Sequence, residues 1–552
     1  MRRIGAGLLP SHVALALAIA AIPIRAQSAA SDLLATPIVT ADVALADLPR
    51  SRTAVSIPPV EARPATFGSR GAATTAEPLA QAAGDASAIP QCCSIEALGQ
   101  CKAVSCTDPA QGGAEAAGTT RSAAADALAS SGAKGAPAEP PPGNRLEIGL
   151  EERVRAEYWN NVHDFHDRAP DERHQFRFRT RLWGKLNLGS KAEVMVTLNN
   201  ETRNITLPDT EFIWDEVIFE TLYLDYHFDA AWSIKVGRQD IMKGEGFILF
   251  DGGPLDGSRT AYMNALDLVW APGKSRLELI AISDPDHDIY LPRFNDKEKA
   301  LIEWDEALVG FYFTGKELAR TGLEAYALYK TEESDRNGPI VPSIPRDRRY
   351  ATLGGRVVHE WEEGWSVTGE LAGQSGREEP DIDVRAWGGY GYLTKVLGAA
   401  AKPSLSVGYI GMSGDDPHSE TIEGWNPVIA RWPKWSELYL YTLSTEQGVA
   451  YWSNISSWRA ELVVKPLDTL NLRGTWYRLR AFEAPPSPGR VFGDGRDRGD
   501  LYQIRADWKP SQTLRGHLLY ERMDPGDFYA GNDPAWFLRA EVIVTLRKPI
   551  RL

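Results

Sequence analysis

Long apolar runs are missing from this chain. No internal stretch reaches the roughly 18 consecutive apolar residues that a membrane-crossing helix needs, which excludes a polytopic helical membrane protein. A basic excess is missing too. The 60 Lys+Arg stand against 74 Asp+Glu, a net charge of −14. That balance argues against a non-specific nucleic-acid binder, whose basic face must displace counterions from phosphates. Neither a phosphate-cradling glycine loop nor a GxSxG nucleophile motif occurs, and the nine histidines form no legible Ser/His/Asp set. Cysteine is scarce, with four in 552 residues, all between Cys92 and Cys106. Aromatics are scarce in the same part: of 17 Trp, 19 Tyr and 16 Phe, only Phe67 precedes residue 144. The chain therefore divides near residue 143 into two parts of different chemistry.

The first part reads as an address and a linker. Arg2 and Arg3 give a positive start, Val13–Ile22 an apolar run of secretory-signal length, and Ala26 a small residue for cleavage. Residues 1–26 are thus expected to be a signal peptide. Residues 27–143 are rich in Ala, Pro, Ser and Gly and close on Ala136–Gly143 (APAEPPPG), which cannot continue a helix or a central strand. With so little apolar bulk to offset its ordering entropy, this segment is expected to be a mostly disordered periplasmic linker. Cys92, Cys93, Cys101 and Cys106 sit inside it. In an oxidising compartment they point to two disulfides with three possible connectivities, and their spacing lacks the paired CxxC of a zinc site.

From residue 144 onward a period-two pattern returns again and again. In Gln175–Leu188 the even positions are Phe176, Phe178, Thr180, Leu182, Gly184, Leu186 and Leu188, while the odd ones include Arg177, Arg179, Arg181 and Lys185. A strand points successive side chains to opposite faces, so one face is apolar and the other cationic. The same grammar governs Leu222–Phe228, Trp365–Leu371, Tyr502–Lys509 and Trp536–Leu546. Aromatics gather at strand ends, as at Tyr158-Trp159, Trp232, Trp270, Trp361 and Trp476, where interfacial girdles would lie. A soluble sandwich or propeller would bury its apolar faces. An exported chain with many two-faced strands fits the inverse better: an all-β transmembrane antiparallel barrel over residues 144–552, apolar toward lipid and polar toward the lumen. About 400 positions at roughly 22 per strand and connection give about 18 strands, with 16 as the alternative. The terminal Leu552 departs from the aromatic ending common in such barrels.

The lumen face is rich in one kind of cation. Residues 144–552 hold 35 Arg but only 15 Lys. Guanidinium groups grip carboxylates in a bidentate way and stack on flat faces, which ammonium groups do less well. Rings of Arg inside a pore favour anions. Arg153, Arg155, Arg177, Arg179, Arg181, Arg459, Arg473, Arg505, Arg515 and Arg539 all fall on the non-lipid face by alternation. The competing reading is that these arginines simply pair with lumen Asp and Glu. His163, His166 and His174 cluster near the first turn, where solvated loop histidines are expected. Asp284, Asp286 and Asp288 form an acidic loop that is a weak candidate for a divalent cation; otherwise no metal and no cofactor is expected.

The block Trp232–Trp270 resembles the signature region of the alginate-export porin family of bacterial outer membranes. The likeness is carried by the Gly237-Arg238-Gln239 turn, the Asp251-Gly252 loop and the Gly257-Ser258-Arg259 element, with Gly531-Asn532-Asp533 before the last strand. It extends diffusely over 144–552. The resemblance implies an 18-stranded barrel with an electropositive constriction that passes a polyuronate outward, acidic residues near the pore, and a periplasmic loop acting as a gate. The matched cationic positions are Arg238 and Arg259, with Arg177, Arg179 and Arg181 as a second arc and Arg473 and Arg505 added by alternation. The expected function is therefore passage of an anionic polysaccharide out of the cell through an Arg-lined lumen. Its partners would be outer-membrane lipid, the polymer, and periplasmic secretion proteins reached by the linker. The long cysteine-bearing linker departs from the short N-terminus usual in the family. The alternatives are an anion-selective pore for small organic solutes, a structural barrel whose linker binds a periplasmic partner, and an outer-membrane barrel enzyme.

Overall fold

A computed structural model of the chain describes residues 144–552 apart from 169–170, 211, 215–216, 251–262, 293, 295–303, 334–346, 399–400, 431–434, 448–451, 486–487 and 490. The expected signal peptide (1–26), the linker (27–143), its four cysteines and Arg259 lie outside the described residues. In chain order the wall strands are β1 (Arg145–Asn160), β2 (Arg173–Leu188), β3 (Ala192–Leu207), β4 (Ile218–His227), β5 (Trp232–Arg238) and β6 (Asn264–Trp270). There follow β7 (Arg276–Asp284), β8 (Asp305–Gly315), β9 (Thr321–Glu333), β10 (Arg348–Glu360), β11 (Trp365–Glu378) and β12 (Ile382–Val396). The wall is completed by β13 (Ser404–Met412), β14 (Ile455–Leu467), β15 (Leu470–Arg480), β16 (Asp497–Trp508), β17 (Leu514–Pro525) and β18 (Ala535–Arg551).

Each strand pairs antiparallel with the next, and β18 pairs antiparallel with β1 from Arg145↔Arg551 to Asn160↔Trp536. The sheet is thus a closed up-and-down barrel of 18 strands. Closure satisfies every strand edge, which a sheet facing hydrocarbon requires because no water is there to bond exposed amides. Connections at the rim holding the chain ends run two to seven residues. At the opposite rim they reach 42, between β13 and β14. Short turns mark the periplasmic end of such barrels and long loops the extracellular end.

Alternation decides which side chain goes where. On β1 the odd residues Glu151, Arg153, Arg155 and Glu157 are buried, while Ile148, Leu150 and Val154 lie exposed on the outer surface. The exposed outer row continues around the barrel through Leu182, Leu224, Leu371, Leu405, Ile504 and Leu518. Such a continuous apolar surface would be an aggregation hazard in water and is the normal exterior of a barrel in lipid. Two aromatic rims bound it. Trp232 and Trp270 stack at 6.1 Å near the short turns, with Trp361 and Trp365 at the β10–β11 turn of the same rim. Trp387, Trp458, Trp476 and Tyr502 mark the long-loop side. Trp159 departs from the girdle expectation. It falls on the inward face, is buried, and stacks on Tyr441 at 4.9 Å.

The expected Gly237-Arg238-Gln239 turn is instead the end of β5. The ladder runs through Arg238↔Asn264, and the Gln239 amide donates to Met263 O. Gly237 sits at φ 119°, and a Cβ there would meet Leu222 O at 2.3 Å, so only glycine fits this strand end.

An outward charge should be costly and depth-dependent. Leu371 lies mid-way along β11 and is 63% exposed on the outer face. Leu371→Arg is expected to destabilise the folded barrel by about 2–4 kcal/mol in urea titrations in lipid vesicles.

Candidate functional site

Register creates an electrostatic problem on the lumen face of β1 and β2. Arg153 lies directly across from Arg179, and Arg155 directly across from Arg177. Like charges opposed across strands repel, and these side chains are almost wholly buried. Glutamates of β1 itself and of the flanking strands resolve it. Glu201 of β3 accepts from Arg153 Nη2 at 2.9 Å and from Arg177 Nε and Nη2 at 3.0 and 2.8 Å. Glu541 of β18 takes Arg155 through Nε and Nη2 at 2.9 and 2.6 Å. Glu157 accepts from Arg539 Nε at 2.7 Å, and Glu151 from Arg179 and Arg515 at 3.0 and 2.9 Å. Arg181 bonds Glu220. The wall of β18, β1, β2 and β3 is therefore a charge-paired lattice, as the competing reading held, and its guanidiniums are engaged with the wall itself.

A second part of the lumen differs. Arg473 on β15 and Arg505 on β16 lie directly opposite each other, and Arg459 on β14 and Arg515 on β17 flank them. Asp507 accepts from Arg505 Nε at 2.8 Å; Glu461 bonds Arg459 and lies 3.6 Å from Arg473. These four side chains keep 13%, 20%, 12% and 37% of their surface, against 0–1% for Arg153, Arg155, Arg177 and Arg179. The Arg459 guanidinium also lies 4.7 Å over the Tyr392 ring.

Two long loops from the extracellular rim fold inward and narrow the lumen. The 413–454 loop contains helix α1 (Glu437–Gln447). Ser436 caps it by accepting from the Tyr439 amide at 2.9 Å, and Glu521 of β17 accepts from the Leu438 amide at 2.7 Å and the Ser436 hydroxyl at 2.6 Å. A carboxylate at a helix N-terminus meets unpaired amides and the positive end of the helix dipole. Glu437 then clamps Arg539 bidentately at 2.6 and 2.8 Å, and Glu446 takes Arg498 at 2.7 Å. On the other side of this loop the Asn426 side-chain amide donates to Glu332 of β9 at 3.0 Å, and the Asn426 backbone carbonyl accepts from Gln374 of β11 at 2.8 Å. Trp425 stacks on Phe247 of the 239–263 loop at 5.2 Å and lies against Gly388, where a Cβ would come within 2.7 Å. Ile429–Ala430 pairs in parallel with Leu249–Phe250, joining the two loops. The inserted loop is thus tied to β9 and β11 and also to β16, β17 and β18.

Of these anchors only Arg539 stood out in the sequence, as a lumen-facing arginine. Ser436 and Glu437 open an apolar stretch in the longest gap between strands, which was the available signal. The described short-rim connections are too brief for the periplasmic gate that the family resemblance implied; the inserted segments enter from the other rim. Arg238 stands apart from the other candidates. Its register places it on the face of Leu222 and Val236, and it binds Asp288 bidentately at 2.9 and 2.8 Å. That engagement removes Asp288 from any metal set. Asp284 accepts from the Asn264 amide at 2.8 Å and Asp286 pairs with His287, so the three carboxylates have separate partners. Among the described residues no group of three His, Cys, Asp or Glu is placed to hold a metal.

His163 lies edge-on to Tyr441 at 5.8 Å, with Nδ1 3.1 Å from Thr445 Oγ1. Desolvation and the nearby Arg173 push its imidazole down to about 4. A histidine with a folded pKa below its unfolded value favours the native contact above that value and loses the contribution as pH falls toward 4. Taking the protein from pH 7 to 4.5 should therefore speed hydrogen exchange over residues 437–447. His163→Asn should flatten that dependence. Separately, Glu437→Ala leaves a buried guanidinium short of its bidentate partner. It should destabilise the inserted loop by about 3–5 kcal/mol and raise single-channel conductance in planar bilayers.

The alginate-export family model ("Alginate export") matches residues 144–541. No curated protein matches the chain in sequence. Among solved structures, OpdL of Pseudomonas aeruginosa is similar at 12% identity and a TM-score of 0.48, over 73% of this chain and 99% of that one. OccK2 (OpdF) of the same organism, solved in complex with glucuronate, is similar at 11% identity and a TM-score of 0.46, over 73% and 98%. OpdK with vanillate, also from P. aeruginosa, is similar at 12% identity and a TM-score of 0.47, over 73% and 99%. With the family model matched across nearly all of the closed barrel, the chain belongs to the alginate-export family of outer-membrane β-barrels.

Proposed function

We propose that this barrel conducts an anionic polysaccharide of the polyuronate class outward across the outer membrane, as a conduit rather than an enzyme. The observation that carries this reading is the arc of Arg459, Arg473, Arg505 and Arg515. There guanidiniums cluster while retaining surface, whereas Arg153, Arg155, Arg177 and Arg179 of the wall keep almost none. A polyuronate presents about one carboxylate per sugar. Half-neutralised arginines would offer it successive weak sites, and conduction needs such weakness because tight binding would plug the pore. Arg177 and Arg179 act in this reading as rigid backing for the wall, Arg181 keeps 13% of its surface beside Glu220, and Arg238 is a brace at the outer rim. The N-terminal 143 residues serve as export signal and as a linker to periplasmic secretion proteins.

A second reading, a pore for small organic anions, is favoured by one observation: the two inserted loops narrow the lumen. Planar-bilayer recording separates the two. Anion preference in the reversal potential is expected, with current blocked by added polyuronate and unaffected by a neutral glycan. Flux of a monomeric uronate without polymer block would favour the second reading. Arg473→Glu with Arg505→Glu should invert the ion preference; unchanged selectivity would remove the arc from the pathway.

A further inference from the structure

Two wall strands are short for the membrane they cross. A tilted strand needs about 9–11 residues to span the hydrocarbon, whereas β5 (Trp232–Arg238) and β6 (Asn264–Trp270) have seven each. Their short-turn ends carry the stacked Trp232 and Trp270, so the shortfall lies at the other end, above Arg238 and Asn264. There the chain after β7 forms a strap on the outside of the wall. Arg238 lies on the outward face of Leu222 and Val236, and Asp288 accepts from its Nη1 and Nη2 at 2.9 and 2.8 Å. Ser283, which shares the outward face of Leu277 and Leu279, bonds the Tyr290 hydroxyl at 2.8 Å. Further along, Phe294 packs on Phe219 at 5.1 Å, and Phe219 pairs with Leu198 on the face of the exposed Leu182. The strap covers the ion pair beneath it, since both side chains of Arg238 and Asp288 are largely buried.

Irregular backbone is tolerated beside hydrocarbon only where its polar groups find partners within the protein. Asp288 supplies them at the turn of the strap. Besides holding Arg238, it accepts from the Tyr290 and Leu291 amides at 3.3 and 3.1 Å, while Asp305 accepts from the Asp286 amide at 2.7 Å. With its polar groups turned to the wall, the strap presents apolar side chains outward. Ile289 is 73% exposed, and Tyr290 and Phe294 are half-exposed. Trp214, paired with Thr202 on the outward face of Phe178, carries the row over β3, with Phe212 5.4 Å from it. We propose that this aromatic shelf is embedded in the outer leaflet, where acyl chains meet headgroups, and that Arg238 and Asp288 are the staple that holds it there. The occupant of the shelf is lipid, because the shelf continues the lipid-facing exterior through Phe219, Leu222 and Val236. Aromatic side chains favour that boundary. The strap thereby makes up the height that β5 and β6 lack. Arg238 in this role serves the exterior of the wall, independently of whatever passes through the lumen.

The test uses the full chain in phosphatidylcholine vesicles, with Cys92, Cys93, Cys101 and Cys106 replaced by serine and a fluorophore on one introduced cysteine. With Ile289→Cys, phosphatidylcholine brominated high on its acyl chains should quench the label about five-fold more strongly than aqueous iodide does. His418→Cys, exposed on the 413–454 loop, should show the reverse order. Adding Asp288→Ala to Ile289→Cys should keep the heat-modifiable gel mobility of the folded barrel and shift the label to the iodide-quenched pattern. Asp288→Asn, which keeps an acceptor for the two amides and loses the ion pair, should give an intermediate shift. Iodide quenching at position 289 equal to that at 418 overturns the proposal. So does protection from both quenchers, which would put protein on the shelf in place of lipid. Lipid quenching unchanged by Asp288→Ala in the folded barrel overturns the staple.

Discussion

Guanidinium–carboxylate pairing across neighbouring strands is the interaction on which the rest of this barrel depends. Closing the sheet in register forces Arg153 against Arg179 and Arg155 against Arg177, inside a wall where water is largely excluded. Without Glu201 and Glu541 reaching in from the flanking strands, and Glu151 and Glu157 of β1 itself, this sector would carry buried, unbalanced charge. Those glutamates come from both ends of the chain. The lattice therefore ties β18 to β1 electrostatically at the seam where the ladder closes.

The same chemistry holds the inserted loop. Arg539 belongs to the wall lattice through Glu157 and to α1 through Glu437, so the wall and the element narrowing the lumen share one guanidinium. Glu521 does the corresponding work at the helix N-terminus, where its carboxylate meets the Leu438 amide and the Ser436 hydroxyl. The charged groups fix where the insertion sits, while Trp425, Ile429, Leu438, Leu443 and Trp452 bury its apolar side. Charge in this lumen thus builds the wall on β18 and β1–β3, while on β14–β17 the guanidiniums, paired with Glu461, Asp507 and Glu151, keep part of their surface.

The strands could be read in advance because alternation is a local property with one consequence per residue. Phe176, Phe178 and Leu182 had to share a face wherever β2 lay, and Arg177, Arg179 and Arg181 the opposite one. Where reading failed, the deciding contacts were remote in sequence. Trp159 looks like a girdle residue by its place at a strand end, yet its face points inward to Tyr441, some 280 positions later. Arg238 looks like a lumen cation by motif, but its strand ends at a left-handed glycine and its guanidinium meets Asp288. The expected short-rim gate gave way to an insertion from the long-loop rim, because no local pattern says on which side of a wall a long loop will settle.

By itself the sequence determined that residues 144–552 build an antiparallel barrel of about 18 strands, apolar outside and charged inside. Each strand carries that information in its own two-residue period, independent of its neighbours. Only the tertiary structure decided which lumen arginines are sealed into the wall and which keep a surface toward the passage. Pairing joins residues as distant as Arg155 and Glu541, and a charge's availability depends on where the closed register sets its counter-ion.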